Sequence, residues 1–191
     1  EQGGALGGAA VNSLVMPFMP YYTNVFNDKG EVERKLLTRG IFEEISHRLS
    51  VCNRYNIIDE FADFDAEYLK VVLDRMMSEY GVDVLFHSAV YDVVRNGREI
   101  TAVKVAAIGG KYEFSAKSFI DCTGDANICT LSGCEFQLGR EEDGLCQPMT
   151  LCFKVSNVCY EDFLAEKPEI LKLYTKYREE GKIKNPRENV L

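Results

Sequence analysis

At 191 residues the chain is long enough for one full domain with a core of its own. Its 46% apolar and 27% charged residues are an ordinary globular balance. A formal charge of −8 with no run of Lys or Arg argues against a nucleic-acid partner, and no apolar stretch reaches the roughly 20 residues of a membrane span.

The sequence opens Glu-Gln-Gly-Gly-Ala-Leu-Gly-Gly, with four glycines in eight residues. That density disfavours a regular helix and lets the backbone approach a neighbour closely. Tyr21, Tyr22 and Phe26 follow; they read as core packing, with the lining of a substrate pocket as the alternative. Val32, Leu36, Leu37, Ile41, Ile45 and Leu49 share helical spacing and predict a helix over 32–49. A second helix is bounded by Asp65 as its cap and Gly81 as a left-handed terminator. Its expected buried face is Leu69, Val72, Leu73, Met76 and Tyr80. Val82 to Phe86 then predicts a short strand of a mostly parallel sheet.

A different pattern covers 90–116. Strands at Val90–Val94, Ile100–Ala106 and Tyr112–Ala116, joined at Asn96-Gly97 and Gly109-Gly110, predict a three-stranded antiparallel meander. A buried strand from Lys117 to Cys122 is expected to end at Thr123-Gly124-Asp125. The carboxyl end of such a strand is where open α/β sheets place ligands. Alternatively Asp125 only caps a short helix over 126–132. A strand over 150–155 and a polar helix over 160–180 complete the chain.

Seven cysteines are present, at 52, 122, 129, 134, 146, 152 and 159, with no Cys-x-x-Cys among them. They read as buried or idle thiols, which suits a reducing cytoplasm and argues against a cysteine-based redox protein. No metal site is expected. His47 and His87 have no partner in a recognisable catalytic pattern and receive no catalytic role.

Glu1 and the glycines behind it suit a nucleotide. In dinucleotide-binding folds a carboxylate at a strand end accepts hydrogen bonds from ribose hydroxyls. A flexible glycine-rich end is the plainer alternative. The order Glu-Gln-Gly-Gly-x-Leu-Gly-Gly, Asp65-x-Glu67, Gly81-Val82-x-Val84, meander, Ile120-Asp121-x-Thr123-Gly124-Asp125 is more specific than any one piece. It resembles the flavin-binding superfamily of glutathione-reductase-like and fumarate-reductase-like proteins. More narrowly, Leu138-Gly139-Arg140-Glu141-Glu142-Asp143-Gly144 and Gln147-Pro148-Met149-Thr150 resemble the FAD-dependent oxidoreductase family, over about residues 1 to 155.

The resemblance implies a partial FAD/NAD(P)-binding Rossmann-like α/β fold over 1–134, with the meander at about 90–116 and the start of a substrate domain over 135–191. It implies FAD as cofactor, and it matches Glu1, Gln2, Gly3, Gly4, Gly7, Gly8, Val90, Thr123, Gly124 and Asp125 to cofactor-binding positions. Arg140 and Gln147 fall in the segment that approaches the flavin's substrate side. The family's opening Gly-x-Gly-x-x-Gly does not occur in these residues. The chain is therefore expected to be an internal piece of a longer enzyme, inactive and unable to retain FAD alone. The parent is expected to transfer electrons or hydride to or from a small-molecule substrate, as a cytoplasmic homo-oligomer. The competing reading is a non-catalytic binding or assembly module that keeps the fold without flavin.

Overall fold

Asp65 begins the best-defined helix of the protein, in a computed structural model that describes residues 1–19, 21–51, 55–58 and 61–185. The elements are α1 (Gly8–Asn12), β1 (Tyr22–Phe26), β2 (Val32–Leu36), α2 (Ile41–Val51), β3 (Tyr55–Ile58) and β4 (Phe61–Phe64). They continue with α3 (Ala66–Glu79), β5 (Ser88–Asn96), β6 (Glu99–Ala107), β7 (Gly110–Ser115), α4 (Asn127–Leu131) and α5 (Tyr160–Glu179). Two units divide the chain, Glu1–Cys152 and Phe153–Leu191, and the second carries α5.

The Asp65 carboxylate accepts from the backbone N–H of Glu67 and Tyr68 at 2.9 and 3.1 Å, answering two of the donors a helix start leaves unpaired. At the far end Gly81, at φ +63, lets the Val82 N–H reach the Met77 carbonyl at 2.9 Å. That left-handed step closes the helix as the sequence predicts. Ala66, Leu69, Val72 and Met76 are buried along one face. They join Val11, Leu49 and Phe64 in the core of the first unit, where α3 packs against α1 and α2. Tyr80 departs from the expected buried face. It is exposed, and its hydroxyl donates to Glu44 at 2.8 Å.

The predicted helix over 32–49 is half strand. β2 pairs antiparallel with β1, Tyr22 opposite Leu36 and Phe26 opposite Val32. The turn between them is built by Asn27, whose Oδ1 accepts from the N–H groups of Lys29 and Glu31 at 3.0 and 2.9 Å. This side-chain-made turn competes with helix and wins, so α2 starts only at Ile41. Phe26 is exposed and not core, while Tyr21 packs edge-on to Phe42 at 4.9 Å and Phe18 stacks on Phe64 at 4.1 Å.

The meander forms as expected, in the order β5-β6-β7. Ser88, Ala102, Val103 and Val105 are its buried residues. Its register shifts between Val90 and Asp92 and again between Val94 and Arg95, which re-aims the side chains beyond.

Three expected strands are not strands. Residues 82–86, 117–122 and 150–155 lie outside any ladder, and all three sheets among the described residues are antiparallel. An extended apolar run becomes a strand only where a neighbouring strand takes its hydrogen bonds in register, and these runs join no ladder. Ile120 and Leu151 are accordingly 84% and 89% exposed. The thiols follow the same logic: Cys122, Cys129, Cys134, Cys146, Cys152 and Cys159 are all exposed, contrary to the buried reading. Cys52 lies outside the described residues.

Candidate functional site

Glu1 and its glycines are fastened to the segment that leads into β5. The Glu1 amino group donates to the Leu85 carbonyl at 3.0 Å. Ser88 N–H returns to the Glu1 carbonyl at 2.9 Å, and His87 N–H to the Gly3 carbonyl at 3.2 Å. These bonds absorb part of the segment expected to be a strand and place Val90 two residues beyond the contact, half-buried in β5 opposite Val105.

The Glu1 side chain turns back on its own loop. Its Oε1 accepts from the Gly3 N–H at 2.7 Å, and Oε2 has no partner among the described residues. The carboxylate is thus oriented by one bond and keeps an oxygen for another donor. A Cβ on Gly3 would come within 2.9 Å of the Asn12 amide and 3.0 Å of Glu1 Oε1. One on Gly4 would come within 2.9 Å of the His87 ring. The bare backbone at 3 and 4 is therefore what lets this loop close against Glu1 and His87. Gly7, at φ +114, turns the chain into α1, which Gly8 opens despite the glycine density; Gln2 stays exposed.

The second group of residues is organised by one that sequence reasoning passed over. The Asp121 carboxylate accepts from the N–H of Thr123 at 3.0 Å, from its hydroxyl at 2.7 Å and from the Cys129 N–H at 3.0 Å. Thr123 Oγ1 in turn accepts from the Asn127 N–H at 2.8 Å. Asp121 and Thr123 thus serve the start of α4, and Asp125 does not cap it; the residue at the cap position, Ala126, makes no side-chain bond. The Thr123 donors lead the causes that depress the Asp121 carboxyl from its usual value to about 2. The Asp-x-Thr spacing was the available signal, since an Asp commonly bonds the N–H two residues on. Gly124, at φ +77, is exposed, and a Cβ there would meet nothing within 4 Å.

The two groups share β5 but not a direct bond. Val90 sits in that strand, and Arg95 further along it donates to the Ser132 carbonyl at the end of α4. No hydrogen bond joins Glu1, Gly3 or Gly4 to Thr123, Gly124 or Asp125 among the described residues. Arg140 is engaged in its own loop. Its Nε donates to Asp143 Oδ1 at 3.0 Å, and the Gly144 N–H closes on the Arg140 carbonyl at 2.8 Å. Gln147 is exposed. A separate cavity of about 450 Å³ between α2 and α3, lined by His47, Arg48, Val72 and Arg75, contains none of the residues matched to cofactor-binding positions.

A hydroxyl-rich ligand fits what is present: an oriented carboxylate with a free oxygen, and at Gly124 a bare backbone with open space beside it. The ribose and ribityl parts of FAD have that chemistry. The pyrophosphate finds no glycine-rich turn of the Gly-x-Gly-x-x-Gly type in these residues. No group of three or more His, Cys, Asp or Glu among the described residues could hold a metal ion. No helix among them is long and apolar enough to cross a membrane.

Residues 1–189 match the protein family described as FAD dependent oxidoreductase. Among curated proteins no match is found. The helices and antiparallel sheets are those of a mixed α/β protein, consistent with a partial FAD-binding Rossmann-like fold. With nearly its whole length matched, the chain belongs to the FAD dependent oxidoreductase family.

Proposed function

We propose that this chain supplies the ribose- and ribityl-facing part of an FAD site in an oxidoreductase acting on a small-molecule substrate. The observation that carries the proposal is the Glu1 carboxylate, fixed through Gly3 beside Leu85–Ser88 with one oxygen left for a ligand hydroxyl. When bound, FAD supplies the acceptor or donor of electrons or hydride. In this reading Glu1 orients a ribose, and Gln2, Gly3, Gly4, Gly7 and Gly8 let the backbone pass along the cofactor. Val90 offers main-chain groups to the base, and Thr123, Gly124 and Asp125 border the ribityl chain and pyrophosphate. Residues 135–191 begin the substrate side.

The 191 residues alone are proposed to hold FAD weakly, because they contain no phosphate-binding glycine turn. Exposed apolar residues such as Met149 and Leu151 favour a homo-oligomer, and the reduced thiols favour a cytoplasmic setting. A second reading, a flavin-free binding or assembly module, draws on the same missing turn. Titrating FAD into the ¹⁵N-labelled chain separates the two. Amide shifts at Gly3, Gly4, Val90 and Gly124 support the flavin site, and their absence at millimolar FAD favours the module.

A further inference from the structure

The C-terminus of α4 brings two thiols together. Gly133, at φ +74, takes the left-handed position after the helix, and its N–H reaches the Thr130 carbonyl at 3.0 Å. The next N–H, that of Cys134, reaches back to the Cys129 carbonyl at 3.1 Å. This pair of bonds folds the residue after the glycine onto the one five positions earlier, and the two side chains commonly meet there. Here both are cysteines, and both are exposed. Such a hairpin return is the kind of backbone approach that a disulfide needs.

We propose that Cys129 and Cys134 form a reversible dithiol–disulfide pair, oxidised by exchange with a low-molecular-weight disulfide. The proposal stands apart from flavin binding. The Cys134 sulfur, as thiolate, attacks one sulfur of the small disulfide; the S–S bond breaks and one small thiolate leaves with the electron pair. Cys129 then gives its proton to solvent, and its sulfur attacks Cys134 in the mixed disulfide, expelling the second small thiolate. Two protein thiols are oxidised, one small disulfide is reduced to two thiols, and the protons are taken up by the leaving thiolates.

This order follows from the surroundings of Cys129. The Asp121 carboxylate, which accepts from the Cys129 N–H at 3.0 Å, stands beside this thiol and holds it above its usual range. Cys129 is the reluctant nucleophile and Cys134 the first to react. Oxidation would re-seat Cys129, whose N–H bonds Asp121, the carboxylate that also arranges Thr123. The state of the pair is thus coupled to the Thr123–Asp125 segment.

The test uses the 191-residue chain in oxidised glutathione, followed by alkylation, trypsin digestion and fragmentation mass spectrometry. Cleavage after Lys117 and Arg140 leaves Cys122, Cys129 and Cys134 on one peptide, so fragmentation must place the bond. The expected result is loss of both alkylation sites at 129 and 134 with Cys122 still alkylated. In Cys129→Ser the expected product is a glutathione adduct on Cys134, which reports the first step without needing the second. Alkylated Cys129 and Cys134 in the native chain would overturn the proposal. So would a bond from either to Cys122, or adducts that never resolve into a 129–134 link.

Discussion

Asp121 accepts hydrogen bonds from both the backbone N–H and the hydroxyl of Thr123, at 3.0 and 2.7 Å. Those bonds, with a third from the Cys129 N–H, favour the charged carboxylate and lower it from 3.8 to about 2. Because the folded value lies below the ordinary one, the contribution of the turn to stability is complete above about pH 4. It is lost as pH falls toward about 2. In an NMR titration the amides of Thr123 and Cys129 should shift together, with a midpoint near 2. In Asp121→Asn that common transition should vanish. A midpoint near 4 would mean the bonds are not made in solution.

Glu44 ties three residues together across α2 and α3. It accepts from Tyr80 at 2.8 Å and from Arg48 at 2.6 Å, and Arg48 also reaches Glu79 at 2.6 Å. Tyr80 and then Arg48 hold the Glu44 carboxyl below its usual range, and Arg48 does the same for Glu79. Tyr80→Phe should therefore let Glu44 titrate at a higher pH and leave Glu79 little changed. Since Glu79 and Tyr80 face solvent and Glu44 and Arg48 are only half-buried, the effect should shrink as salt rises from 0.01 M toward about 1 M, where screening acts over roughly 3 Å. A salt-independent effect would place the network in a drier setting than described.

Among the described residues Met76 and Leu49 are the largest fully buried side chains, and they belong to one cluster. Truncating either to alanine removes apolar surface from the core and leaves a hole between α2 and α3. Each should cost about 2–5 kcal/mol by denaturant unfolding. Val71→Ala, on the exposed side of α3, should stay within about 0.5 kcal/mol. A loss under about 1 kcal/mol at both buried positions would show that this cluster is not the core of the unit.

What could be seen in the sequence depended on whether the deciding interaction was local. Asp65 and Gly81 bound α3 because a cap and a left-handed glycine act within one turn of chain. Asn96-Gly97 and Gly109-Gly110 punctuated the meander for the same reason. Val32 and Leu36 misled because their spacing fits one helix face, while the Asn27 side chain builds a turn that pairs them with Phe26 and Tyr22. The runs 82–86 and 117–122 read as strands on apolarity alone, which says nothing about who accepts their hydrogen bonds. At the candidate site the residue types at Glu1, Gly3 and Thr123 were legible. The Gly3 clasp on Glu1 and the governing role of Asp121 were not. The nearness of Cys129 to Cys134 is hidden in a spacing of five that only the Gly133 return makes close.

The Glu1 carboxylate gives the sharpest test of the cofactor proposal. Its Oε1 holds the Gly3 N–H, and Oε2 is left for a ribose hydroxyl. A hydrogen bond to a charged acceptor contributes roughly 1.5–3 kcal/mol. Glu1→Ala should therefore weaken FAD binding about ten- to a hundredfold, read from the amide shifts of Val90 and Gly124 across an FAD titration. The alanine variant also frees the Gly3 N–H, so part of its loss could come from a disordered loop. Glu1→Gln separates the two effects. It keeps an oxygen for Gly3 and surrenders only the charge, so it should hold the Gly3 amide in its native position and still bind FAD more weakly than the native chain. If Glu1→Gln binds as the native chain does while Glu1→Ala does not, the carboxylate shapes the loop without touching the cofactor. If neither changes binding, the ribose lies elsewhere.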